Sequence, residues 1–325
     1  MTVPNVSEGR DLATLEAIGR AFAPAHFLDL HTDPDHDRAV ARSALAYGLP
    51  LAAANLLSWA LLNIDNVVIA KAAGVTSLGF YVLAFNISNW PISAIGQAVR
   101  SVSLAGFSHA ARESEGEDTS LETALSLTWT AAMAVGVLLA ALAHPLIVLL
   151  YGQRWAAAAA VLVALGAFGA LRVVLDLLAT YLMARGAARP VLYVQILWFV
   201  TLIPATAVGV HWLGIKGAGW AHLAVSACVI LPAYAVALSR TGTSPRVLLR
   251  AGWPPLVAAV PTWWIAHTVA TAIGSPVLAL LLGGSMGCLT YAAVSYPRIR
   301  KLLPPRGARA AAPARIDQPA LEGAR

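Results

Sequence analysis

Eight apolar stretches, each near the ~20 residues that a hydrocarbon core demands, leave this chain few choices of fold. They run approximately over 43 to 64, 77 to 100, 121 to 143, 156 to 184, 190 to 212, 216 to 239, 252 to 273 and 275 to 296. The fourth is long enough to tilt or to begin as an interfacial turn. Only 12% of the residues are charged and 58% are hydrophobic, whereas about 25% charged is usual in a soluble domain. The expected fold class is all-α: a polytopic membrane helix bundle of about eight transmembrane helices.

The basic residues sort by side once the N-terminus is placed inside. Inner segments then hold Arg38 and Arg42, Arg100 and Arg112, Arg185 and Arg189, Arg240, Arg246 and Arg250, and Arg298, Arg300, Lys301, Arg306 and Arg309. Outer loops hold only Lys71, Arg154 and Lys216. This asymmetry predicts an even number of spans with both termini cytoplasmic. It also accounts for the net charge of +6 as a topology signal, without nucleic acid as a partner.

Four regions follow: an N-terminal cytoplasmic segment at 1–40, a six-helix bundle at 41–240, a trailing helix pair at 241–297 and a basic tail at 298–325. The first contains seven acidic residues and no apolar core with a cleavage site, so no signal peptide is expected. Leu12 to Leu30 could form an amphipathic helix. His26, His31 and His36, at steps of five, fit no metal-ligand template, and a solvated tail explains them. The Pro-, Ala- and Arg-rich stretch from Pro304 to Arg325 reads as a disordered tail. Cys228 and Cys288 fall inside predicted spans and read as small packing residues.

The sequence contains no nucleophile elbow, no phosphate loop and no paired Asp motif, so neither enzymatic activity nor a cofactor is indicated. What remains is a set of polar groups inside apolar spans, which are expensive there. Asn86, Asn89, Ser93, Gln97 and Arg100 fall within roughly 80° on a helical wheel and predict either a cavity lining or interhelical hydrogen bonding. Asn55, Ser58, Asp65 and Asn66 share an arc of about 100° on the first span. Asp65 and Asn66 are either a cation site or a cap on the helix end before Gly74. Arg172 and Asp176, four apart in the fourth span, can pair with each other, or Arg172 can receive a phosphate through its bidentate fork. Gln195 and His222 are weaker candidates that a neighbouring helix would satisfy. Pro50, Pro91, Pro204 and Pro232 interrupt four spans, and Gly283 with Gly287 offers a face for close packing on the last.

Several of these landmarks occur in a familiar order. Gly48-Leu-Pro50, Asp65-Asn66-Val-Val-Ile-Ala, Gly74, Leu78-Gly79-Phe-Tyr81-Val-Leu-Ala84, Pro91 and Phe107-Ser108 resemble the second half of polysaccharide flippases of the multidrug/oligosaccharidyl-lipid/polysaccharide (MOP) superfamily. Tyr151-Gly152-Gln-Arg154-Trp155, Arg172, Ala184-Arg185-Gly186, and Gly214-Ile-Lys-Gly217-Ala-Gly219 with Ala221-His222 extend the resemblance over residues 40 to 240. It implies an O-antigen or exopolysaccharide flippase moving an undecaprenyl-diphosphate-linked oligosaccharide across a bacterial inner membrane, for polysaccharide or lipopolysaccharide biosynthesis. Substrate binding would fall to Asn86, Asn89, Ser93, Gln97, Arg100 and Arg172, and ion coupling to Asp65, Asn66 and Asp176. The first lobe of such a two-lobe transporter is missing here, so a separate first lobe or a second copy is an expected partner alongside membrane lipids. The alternatives are a multidrug or ion antiporter of the same superfamily and a non-transporting scaffold of a polysaccharide assembly complex.

Overall fold

A computed structural model describes residues 34–113 and 117–302; several side chains within them, those of 90–120 above all, lie outside the description. The expectations for Leu12 to Leu30, for His26, His31 and His36, and for the tail from Pro304 onward therefore fall outside the described residues.

Every described segment of length is helical. A continuous helical run, Pro34–Glu113, breaks at Gly74, whose φ of 83° and ψ of 168° are non-helical. A side chain would be strained at that φ, so glycine is what allows the chain to turn between α1 (34–73) and α2 (75–113). Then follow α3 (Glu117–Ala141), the short α4 (Ala143–Tyr151), a single 3-10 turn (Gln153–Trp155) and α5 (Ala157–Ala184). After these come α6 (Ala188–Leu213), α7 (Ile215–Arg240), α8 (Arg246–Ala272) and α9 (Pro276–Leu302).

Six stretches among the described residues are long and apolar enough to cross a bilayer: Gly48–Asn89, Leu121–Ala141, Ala157–Ala184, Ala188–Leu213, Ile215–Arg240 and Pro276–Arg298. The first contains the Gly74 break and so includes parts of both α1 and α2. The long helices follow the apolar stretches in order, with two departures. The first span does not stop at 64 but runs on through Asp65 and Asn66 to 73. The segment after 143, read as an outer loop, is mostly the helix α4. Its Leu- and Ile-rich sequence between Pro145 and Gly152 folds back against α5.

Helix α5 is the centre of the bundle. Of its most apolar stretch 78% is buried, against 28% for α6 and 22% for α9. It packs on α1–α2, α3 and α7, while α8 and α9 pair with each other and lean on α3. Lipid is as apolar as leucine, so close van der Waals approach must hold these helices together, and small residues permit it. A Cβ at Gly136 of α3 would lie 2.6 Å from the carbonyl oxygen of Gly166 in α5. Gly209 of α6 and Gly217 of α7 approach backbone to backbone in the same way. Gly283 and Gly287 of α9 pack on Ala266 of α8 and on Leu142 and Leu138, which fulfils the expected small-residue face. Cys228 and Cys288, expected to pack inside, are both exposed on the outer surface.

Gly136→Ala should force α3 from α5 and lower stability by about 1–3 kcal/mol, the usual range for overpacking. Gly284→Ala, whose Cβ would meet Leu142 at an ordinary 3.6 Å, should be close to neutral. Thermal unfolding of both variants in detergent, beside the parent, checks the contrast.

Candidate functional site

Asp65 is the most enclosed acidic group described, 2% exposed on α1. Its side chain is met by α2 and α7. The Tyr81 hydroxyl donates to Asp65 Oδ2. His222 Nε2 stands 3.1 Å from the same oxygen and 2.9 Å from the tyrosine hydroxyl. Asp65 Oδ1 accepts from the Asn66 backbone N–H at 2.9 Å. Tyr81 has one proton and gives it to the carboxylate, so its oxygen accepts from an Nε2–H of His222; the network selects that tautomer. The imidazole is walled by Tyr81, Phe85 and Phe168, with the Phe168 ring centroid at 4.9 Å. Asp65 is thus no cap on a helix end, because α1 continues for two turns beyond it.

The turn at Gly74 is what brings Asp65 and Tyr81 together. An unbroken helix would hold residues 16 apart about 24 Å from each other. With the chain turning at 74, positions nine before and seven after stand at similar height. His222 arrives from α7 just ahead of a widened π turn, Ser226–Ile230, that precedes Pro232. Proline supplies no N–H to the preceding turn, and the local widening accommodates that loss.

Next to the triad lies a cavity of about 60 Å³, lined among others by Ser58 of α1, Arg172 and Asp176 of α5, Gln195 of α6 and His222. It has room for a handful of waters and not for a sugar ring. Arg172 Nη1 donates to Asn89 Oδ1 at 3.4 Å, tying α5 to α2. Gln195 Oε1, Trp198 Nε1 and His222 Nδ1 are buried without a protein partner. A few waters or a hydrated cation in the cavity would satisfy such groups. Among the described residues no group of three His, Cys, Asp or Glu could hold a metal ion.

The structure therefore gathers Asp65, Arg172, Asp176 and Asn89 around one internal region and leaves other candidates outside it. Asn66 is half-buried beside the triad, whereas Asn86 is exposed. Asn55, on the same arc as Asp65, is exposed too. The side chains of Ser93, Gln97 and Arg100 lie outside the described residues. Tyr81 stands out in the sequence only within the Leu78–Ala84 motif, and His222 as a polar group that a neighbouring helix would satisfy, yet together they enclose Asp65. Their signal in the sequence was positional: a tyrosine and an aspartate flanking a glycine break at nearly equal distances.

Tyr81→Phe removes one of the donors to a buried carboxylate and should lower stability by about 1–3 kcal/mol. The unfolding midpoint of the purified full chain reads this directly; a variant as stable as the parent would mean that the triad does not hold α1 to α2.

Residues 18–160 match the model of a family described as polysaccharide biosynthesis protein. No curated protein matches the sequence. Among solved structures, the chain is similar to the lipid II flippase MurJ in an inward closed conformation, with a TM-score of 0.66 at 14% identity. That match covers 88% of this chain and 59% of the flippase, so the chain spans about three fifths of its length. An outward-facing multidrug resistance MATE family transporter of the MOP superfamily gives 0.52 at 15% identity, over 80% of this chain and 66% of the transporter. A MOP superfamily transporter from Pyrococcus furiosus gives 0.54 at 15% identity with the same coverage. The protein is a multi-pass membrane protein with the fold of the MOP superfamily transporters.

Proposed function

We propose that this chain is the substrate-handling half of a flippase that moves an undecaprenyl-diphosphate-linked oligosaccharide across the cytoplasmic membrane of a bacterium, with both termini inside. The observation that carries this reading is Arg172: a half-buried guanidinium at the core helix, bonded to Asn89 and bordering a polar cavity. A guanidinium fork suits a diphosphate, and a polar lining suits water and sugar hydroxyls. The family match supports polysaccharide biosynthesis as the context, and the similarity to a lipid II flippase supports a lipid-linked substrate.

The internal cavity is too small for the sugar, so the head group would meet the open face of α1 and α2. Asn55 and Asn86 are exposed there. Asn89 and Arg172 would lie at its edge, and Ser93, Gln97 and Arg100 would continue the stripe. Exposed amides in hydrocarbon are unfavourable, so a second wall, either another lobe or a second copy, would cover this face. Asp65, Asn66 and Asp176 would serve the coupling cation, with the cavity holding its water. One observation favours the second reading, an antiporter of the same superfamily: Asp65 is deeply buried against His222, an acidic group of the kind that cation exchange needs.

The test uses the complex that the tagged full chain draws from its native membrane, reconstituted into vesicles with a fluorescent polyprenyl-diphosphate saccharide. Flipping above protein-free vesicles is expected, and Arg172→Ala should abolish it without loss of membrane insertion. Unchanged flipping would remove Arg172 from the mechanism, and export of a cationic drug without flipping would favour the antiporter.

A further inference from the structure

A second cavity, of about 190 Å³, lies away from the Asp65 region, between α3, α7 and α8. Trp129, Leu231, Leu249, Gly252, Trp253 and Leu256 are among its lining residues. Leu249, Trp253 and Leu256 are also 74%, 60% and 50% exposed, so the cleft opens on the outer, lipid-facing surface of the bundle. An apolar cleft open to a bilayer fills with acyl chain, because water there would find no partners and an empty cleft forfeits dispersion contacts.

The end of the cleft is basic. Leu249, Trp253 and Leu256 form a stripe at steps of four and three along α8, and Arg246 continues it one step of three beyond the cleft. Arg250 is exposed beside it. Arg298 of α9 reaches over to this corner, donating to the Arg250 carbonyl oxygen at 2.8 Å and to Ser126 Oγ of α3 at 3.1 Å. Arg240, at the end of α7 and six residues before Arg246, is exposed as well. Residues 177–316 contain no Asp or Glu, so α6 through α9 offer these arginines no carboxylate. The facing α3 carries Glu122, one turn before Leu125, with Glu117 and Asp118 at its start, against the four arginines Arg240, Arg246, Arg250 and Arg298.

We propose that this cleft is a binding site for an anionic phospholipid, one acyl chain lying along the α8 stripe and the phosphate held by Arg246 and Arg250. The site is separate from the Asp65 cavity and does not depend on the transport reading. A basic pocket between membrane helices at the membrane–water interface is the arrangement that anionic head groups select.

Native mass spectrometry of the detergent-solubilised full chain, titrated with dioleoylphosphatidylglycerol, dioleoylphosphatidylcholine or inorganic phosphate, tests this. Saturable retention of the phosphatidylglycerol is expected, with weaker retention of the other two. Arg246→Gln and Arg250→Gln should each weaken it about 5-fold, in line with the attraction of one basic residue to an anionic surface. Gly252→Leu fills the cleft from a position where a Cβ meets nothing within 4 Å, so the fold is kept while retention should be lost. Equal binding of the phosphatidylcholine, equal competition by phosphate alone, or parent-like retention in all three variants would overturn the proposal.

Discussion

A carboxylate placed in hydrocarbon has to be answered by the protein itself, and Asp65 is answered by two helices at once. Its oxygens take the Tyr81 hydroxyl from α2 and His222 from α7, with the Asn66 N–H as the third contact. Removing any partner leaves a buried polar group exposed to nothing, which is far worse than never having had the pair. Three features far apart in sequence thus depend on one another: the glycine that turns α1 into α2, the tyrosine seven residues later, and the histidine ahead of the π turn.

Around this polar centre the bundle is held by approach at glycines. The Gly136–Gly166 and Gly209–Gly217 contacts set backbone against backbone, where no side chain can rearrange to absorb a change. Such seams behave as rigid joints, because a packed interface has discrete arrangements and little compliance between them. The α1–α2 unit is joined differently. Its buried apolar residues Ile69, Ala84 and Ile87 join the same core as α5, and two polar pairs add to that packing, Asn89 to Arg172 and Asp65 to His222.

Hydropathy made the helical order legible, because the bilayer imposes one length and one composition on every span. Boundaries were less so where chemistry overrode hydropathy. Asn63, Asp65 and Asn66 look like the end of a span, yet the helix runs on: the Asp65 carboxylate finds Tyr81 and His222 inside the bundle, while Asn63 bonds back to the Trp59 carbonyl of its own helix. Four polar residues on one arc were likewise read as one face, but Ser58 and Asp65 turn to the interior while Asn55 lies on the surface. Wheel angles fix relative direction around an axis and say nothing of which side a neighbour occupies. The cysteines show the same limit: small and apolar enough to pack, they stand exposed on the surface of the bundle.

The separation of the two polar regions bears on mechanism. The cavity lined by Arg172, Asp176 and His222, of about 60 Å³, has room for water or an ion, whereas Asn86 is exposed on the surface. In the proposed reading these are two sites, and Asn89 lies on the same helix as Asn86 while touching Arg172 of the inner one. A cation bound between Asp176 and Asp65 would compete with the contacts of Arg172 and His222 alike. Arg172 would then exchange its bond to Asn89 for another partner, loosening α2 from α5. By linkage, a substrate that favours the loosened arrangement would tighten cation binding by the same factor. Coupling of this kind would need no long pathway: one arginine shared between the cavity proposed for an ion and the helix proposed to carry the substrate face would suffice.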